Sequence, residues 1–256
     1  MSFKEVNRPS IVGECNIQHF VIDENSRLFL KRIPRDNLAI IEQIKTEYIG
    51  THFLTTGGSF RRRSPQEQAS FTKQAASNNL RVLVPEYMDG EVAYYSFLEK
   101  AQTLDVFFRQ PFLSPSVVVK QLFDDLRTAH SLNTIYGDRW YPNMLVTPDT
   151  GLIHIDFDIE ISGPYAKEFE LAQVIYYTVL SGKDQVVSPI RQYLSGSLWC
   201  DSKMVADFLH AKTVFFKNTQ DGGIEDHIET VIGSVFQEDF NLEAAFVSKT
   251  NVVFGL

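Results

Sequence analysis

Residues 130–158 read HSLNTIYGDRWYPNMLVTPDTGLIHIDFD, and this stretch decides the fold. Two carboxylates and an amide stand out in it: Asp138, then Asn143 five residues on, then Asp156 thirteen after that. NMLVT (143–147) and GLIHID (151–156) read as short strands around the turn Pro148-Asp149-Thr150. Asp138 and Asn143 therefore fall in a loop, and Asp156 at the end of an apolar strand. Phosphoryl transfer needs such a set. A hard cation takes oxygen ligands, here Asn143 and Asp156. A further carboxylate, Asp138, orients an attacking hydroxyl and accepts its proton.

Upstream, SPSVVVKQLFDDLRTAHSL (114–132) places Val118, Leu122, Leu126 and Ala129 at helical spacing, so a helix delivers the loop. Further back the pattern turns to strands. HFVID (19–23) and RLFLKRI (27–33) flank Glu24-Asn25-Ser26 as a hairpin, and Lys31 on the second strand is the cation expected to reach nucleotide phosphates. Asp36 is the expected cap of a helix to about Tyr48, and GTHFLTTGGSFRRR (50–63) reads as a mobile loop. Ser64-Pro65-Gln66-Glu67 starts a helix to about Ser77, with serine capping, proline at the first position and glutamate closing a capping box. LRVLVPEYM (80–88) and EVAYYSFLE (91–99) read as two strands around Asp89-Gly90. Downstream of the site, EFELAQVIYYTVLSG (168–182) is an apolar helix ended by glycine, and helices are expected near 184–194, 201–217 and 223–236.

Composition bounds the remaining choices. The chain has 256 residues, 44% apolar and 22% charged, as in a globular protein. No apolar run approaches the roughly 18 residues that cross a bilayer, and MSFKEVNRPS lacks a signal peptide's apolar stretch. Cys15 and Cys200 are too few for a disulfide framework or a thiolate zinc site. A cytoplasmic location is the expectation. Net charge is −8, divided as +1 over residues 1–97 and −9 over 98–256. That acidic bulk excludes wrapping of nucleic acid, which needs a basic face. Arg61, Arg62 and Arg63 are the single basic run through which a phosphate or RNA contact is expected.

The order of Lys31, a helix glutamate, G-D-x-x-x-x-N and I-D-F-D resembles the protein-kinase-like superfamily over roughly residues 12–182. Its small atypical members are the most similar: the kinase of the KEOPS tRNA-modification complex, RIO kinases, aminoglycoside phosphotransferases and lipopolysaccharide core kinases. The resemblance implies an α+β, bilobal fold, with a β-rich small lobe at 1–97 and a helical large lobe at 98–256. It implies ATP with Mg²⁺ or Mn²⁺ between the lobes and a hydroxyl acceptor on a protein or a small molecule. Asp138 resembles the catalytic base, and Asn143 and Asp156 the metal ligands. Lys31 resembles the phosphate-contacting lysine and Glu67 its partner, with Glu42 and Glu47 competing for that lysine. Gly13 resembles the phosphate-covering glycine, and Glu99 and Ala101 fall at the adenine-contacting hinge. Glu170, or else Glu168, resembles the acid that braces the catalytic loop.

The chain also departs from the family pattern. Tyr136 stands in place of the histidine of H-G-D, Asp158 replaces the glycine of D-F-G, and IVGECNIQHF (11–20) holds one glycine. Three functional classes follow. One is an atypical Ser/Thr protein kinase, another a small-molecule phosphotransferase, and the third a pseudokinase that binds without turnover.

Overall fold

The computed structural model describes residues 2–37, 39–195, 198–216 and 224–233. Short strands β1 (Lys4–Glu5) and β2 (Ile11–Val12) lie against β3 (Asn16–Ile22), which turns back antiparallel into β4 (Leu28–Pro34). Asp23 makes that turn: its Oδ1 accepts from the backbone N–H groups of Asn25 (2.9 Å) and Arg27 (2.8 Å). The chain then leaves the sheet and returns as β6 (Tyr87–Asp89) and β7 (Val92–Ser96), giving the order β1-β3-β4-β7-β6.

Strand register sorts this sheet into two faces. Val21, Phe29 and Tyr94 bury one of them, with Phe3 stacked on Tyr94 at a centroid distance of 4.2 Å. Lys31 pairs in register with His19 and Tyr94, so it shares that face. The opposite face carries Asn16, Gln18, Leu30, Arg32 and Tyr95, and it looks toward the rest of the chain.

The excursion between β4 and β6 holds α1 (Ala39–Glu47), α2 (His52–Thr55), β5 (Ser59–Arg62) and α3 (Pro65–Ser77). The capping box expected at Ser64 and Glu67 is present. Residues 50–63 are not the loop that their glycines and arginines suggest. β5 pairs antiparallel with β11 (Ile159–Ser162), a partner that lies far downstream and leaves no local signal. Helix α1 begins at Ala39, later than Asp36 implies. The run 80–88 also contributes less strand than expected. Only Tyr87–Asp89 joins the sheet, because Pro85 has no N–H to donate and Arg81–Leu83 pair instead with His154.

The second half is helical. β8 (Gln102–Thr103), α4 (Leu104–Arg109) and α5 (Pro115–Ser131) lead to β9 (Met144–Thr147) and β10 (Gly151–His154), which form a sheet in the order β10-β9-β8. α6 (Ala166–Gly182) is buried almost all round, with apolar residues on every face and its buried Glu170 and Gln173 hydrogen-bonded to the loop beside it. α7 (Asp184–Leu194), α8 (Ser202–Phe216) and α9 (Ile224–Val231) pack around it. The tail NVVFGL lies outside the described residues.

The excursion is part of this helical core. Phe53 sits 4.6 Å from Phe169 of α6 and 6.3 Å from Phe208 of α8, and Tyr48 sits 4.3 Å from Phe169. Both side chains are almost fully buried. Phe53→Ala should therefore cost about 3–5 kcal/mol. Equilibrium urea unfolding should show a lower midpoint at unchanged slope.

Candidate active site

The loop that carries Asp138 is fixed by contacts around Gly137 and Glu170. Gly137 has φ 109°, and a Cβ there would meet the Ile159 carbonyl oxygen at 1.8 Å, so only glycine fits. Its N–H donates to Glu170 Oε1 at 2.7 Å. His130 Nε2 lies 2.8 Å from Glu170 Oε2, and Trp199 Nε1 donates to His130 Nδ1 at 2.9 Å. Since Nδ1 accepts, the proton of a neutral His130 resides on Nε2 and is donated to Glu170. Of the two glutamates in EFELA, Glu170 thus braces the loop, while Glu168 accepts from the backbone of Asp201.

Arg139 does the remaining fixing. It has no solvent exposure. Its guanidinium donates to the carbonyls of Asn143 (3.4 Å), Ile155 (2.9 Å) and Asp156, and lies 4.8 Å from the Phe157 ring centroid. One side chain thereby ties the loop of Asp138 and Asn143 to the turn of Asp156. The sequence reading passed over Arg139. Its signal was a lone cation among apolar and aromatic neighbours beside the proposed base.

The three polar residues converge as a result. Asn143 Nδ2 donates to the Asp138 carbonyl at 3.0 Å, which leaves its Oδ1 for another partner. Asp138 Oδ1 accepts from Gln173 Nε2 at 3.3 Å. Burial pushes the Asp138 carboxyl up to about 6, against the pull of Lys212 and Arg139. Asp156 sits in the left-handed region at φ 57°. Burial would raise its pKa, but the charge and hydrogen bond of Arg32 outweigh that and hold it low. Asp158 is pushed the other way, first by burial and then by the charge of Asp156.

The cation that meets Asp156 is Arg32, not Lys31. Arg32 Nη2 lies 2.5 Å from Asp156 Oδ1 and 3.6 Å from Asp158 Oδ2. With its amide oxygen turned toward Arg32, Asn16 accepts from Nη2 (2.7 Å) and Nε (3.1 Å). Lys31 points to the other side of the sheet because strand side chains alternate. Glu67 does not meet β4 either. It closes the cap at Ser64 and pairs with Arg61 at 2.8 Å, while the neighbouring Gln68 lines the cavity around Arg32. Glu47 pairs with Lys212 at 2.6 Å, so it does not serve Lys31.

Other expected positions are less engaged. Gly13 donates its N–H to the Asn16 carbonyl at 2.9 Å, making the turn before β3. Glu99 is exposed, and Ala101 N–H bonds back to the Leu98 carbonyl at 3.3 Å. The three arginines do not form a basic face. Arg63 is buried and donates to carbonyls of Tyr136, Phe157 and Ile159, Arg62 donates to the Cys15 carbonyl, and Arg61 pairs with Glu67 and Glu160.

The architecture is α+β, an antiparallel sheet with its helical excursion in the N-terminal part, a braced loop–hairpin site, and a helical C-terminal part. Among the solved structures similar to this chain are two of the Rio2 kinase of Chaetomium thermophilum, one of them its ADP/Mg²⁺-phosphoaspartate complex. Both are 16% identical to this chain and cover 97% of it; the chain covers 72% and 73% of theirs, with TM-scores of 0.49 and 0.47. No known family profile and no curated protein sequence matches.

Arg139→Met should leave the part-buried Ile155 and Asp156 carbonyls without this donor, while the Asn143 carbonyl keeps the Ile155 N–H. At about 1–3 kcal/mol for each unsatisfied group, the variant should lose at least ~2 kcal/mol. Thermal unfolding of the two proteins side by side measures this.

Proposed function

We propose that this protein transfers the γ-phosphoryl group of ATP to a hydroxyl. The observation that carries the reading is the convergence of Asp138, Asn143 and Asp156 through the single buried guanidinium of Arg139. Asp138 accepts the proton of the acceptor hydroxyl as its oxygen attacks the γ-phosphorus. The bond from that phosphorus to the bridging oxygen breaks, and the electron pair leaves with ADP. A carboxylate with its pKa near 6 remains ionised at neutral pH and is a better base than an unperturbed one.

Asn143 Oδ1 and the Asp156 carboxylate form an oxygen donor set that fits Mg²⁺ or Mn²⁺. Mg²⁺ usually takes one or two protein oxygens and completes its shell with water and phosphate. Bound there, the ion would neutralise charge on the β- and γ-phosphates. Arg32 would then exchange Asp156 for phosphate oxygens, to which its planar fork can bond twice. Arg32 thus takes the part expected of Lys31.

The resemblance implies a hydroxyl acceptor on a protein or a small molecule, and a protein serine or threonine is the acceptor proposed first. A second reading has its own observation. The Arg32–Asp156 ion pair occupies the carboxylate that a metal would need, which favours a module that binds nucleotide without turnover.

Two measurements separate these readings. ATP with Mg²⁺ should raise the unfolding temperature, since a ligand at 100 times its Kd adds about 2.7 kcal/mol. Asp156→Ala should abolish that shift. Asp138→Asn should keep the shift and lose transfer of radiolabelled γ-phosphate by about 10²–10⁴-fold. Undiminished transfer in Asp138→Asn would overturn the assignment of the base. A shift with no transfer in the parent protein would establish the binding module.

A further inference from the structure

Helix α8 places a lysine in the core beside the proposed base. The Lys212 side chain is 3% exposed and its Nζ lies 2.6 Å from Oε2 of Glu47, itself 10% exposed, at the end of α1. Three aromatic rings surround the ammonium, with centroids at 4.8 Å (Tyr177), 5.3 Å (Tyr48) and 5.9 Å (Tyr176). Ion pairs at this depth are costly to desolvate, and apolar residues of similar size generally hold two helices together as well. A clasp between α1 and α8 does not by itself explain why charge is kept here.

Helix α6 shows what the charge is near. Gln173 and Tyr177 are four residues apart on it, so their side chains lie on one face, one turn from each other. Gln173 holds the Asp138 carboxylate at 3.3 Å, and Tyr177 carries the Lys212 ammonium on its ring. Tyr48 touches both, bonding to Gln173 through its hydroxyl and lying under Lys212 with its ring. The electrostatic influence is mutual, for Asp138 acts on Lys212 and Lys212 on Asp138. Facing this region are Glu47 from α1, Asp138 and Arg139 from the loop, and Asp156 with Arg32 across the cleft. Without Lys212 the base side of the site would present carboxylates to an incoming polyphosphate with only the two arginines to offset them.

We propose that Lys212 is a positioning residue of the active site: Glu47 holds its ammonium on the ring of Tyr177, one turn along α6 from the Gln173 that bonds Asp138, where it offsets carboxylate charge and lets the nucleotide phosphates settle against the base. The inference rests on the phosphotransferase reading above. It gives α1 and α8, which carry none of the motif residues, a part in positioning the nucleotide.

The test must separate position from folding. Lys212→Met alone would leave Glu47 buried and uncompensated, so the informative variants change both partners. Glu47→Leu/Lys212→Met removes the pair, and Glu47→Lys/Lys212→Glu keeps an ion pair but moves the cation to α1. Thermal unfolding, the KM for ATP, kcat and the affinity for ATP with Mg²⁺ are measured for both and for Lys212→Arg. The expected result is folded double variants whose ATP affinity or kcat falls by at least about tenfold, the scale of one unit charge acting through a partly buried site at an effective dielectric near 20. Lys212→Arg should retain most of both. Double variants that fold and perform like the parent would overturn the proposal and leave the pair as a clasp. If the apolar double variant does not fold, the charge swap decides alone. A parent protein that neither binds ATP nor transfers phosphate would instead defeat the phosphotransferase reading, an outcome distinct from parent-like double variants.

Discussion

The guanidinium of Arg139, shut off from water, collects the carbonyls of Asn143, Ile155 and Asp156 and rests against Phe157. Backbone oxygens at a loop and at the end of a hairpin would ordinarily turn to solvent. Here they turn inward because a buried cation needs them, and they need it. Glu170 performs the complementary service from α6, accepting from Gly137 and from His130. Placement of the acidic side chains follows from these two buried charges. Asp138 and Asp156 are poised by main-chain constraint, which is stiffer than any contact between their own flexible ends.

The second layer is electrostatic. The neighbourhood of the cleft holds Asp138, Asp156, Asp158 and Glu47 against Arg32, Arg139 and Lys212. No carboxylate stands far from a cation, yet the cations arrive from a strand of the small sheet, from the loop itself and from α8. One of these carboxylates is brought by the excursion after β4, which folds onto the helical half by apolar packing. Tyr48 and Phe53 dock it on Phe169 and Phe208, and Glu47 at the end of α1 then reaches Lys212.

What the sequence disclosed and what it hid divide along one physical line. Features set by neighbours in the chain were legible: the capping box at Ser64, the hairpin at Asp23–Arg27, the helix ending at Ser131 and the strands around Asp149. Features set by distant pairing were not. β5 finds β11 only in three dimensions, so residues 50–63 read as a loop. The choice between Lys31 and Arg32 turned on a single step of strand alternation, and two adjacent basic residues give the sequence no means to break that tie. Glu67 matched a motif position but was already committed to its helix cap.

The ladder between β5 and β11 has a consequence for how this site could change state. The backbone just beyond Asp156 and Asp158 is zipped to another strand from Ile159 to Ser162, and Arg63 pins it from below through the Phe157 and Ile159 carbonyls. The acidic turn therefore has no slack to swing outward. Exchange of Arg32 for another positive group must occur by turning side chains about their own bonds. Such motions belong to nanoseconds, whereas re-ordering a loop takes microseconds or longer. Occupancy of this cleft should accordingly follow ligand concentration with no slow phase of its own, as in a lock whose tumblers turn while the case stays shut.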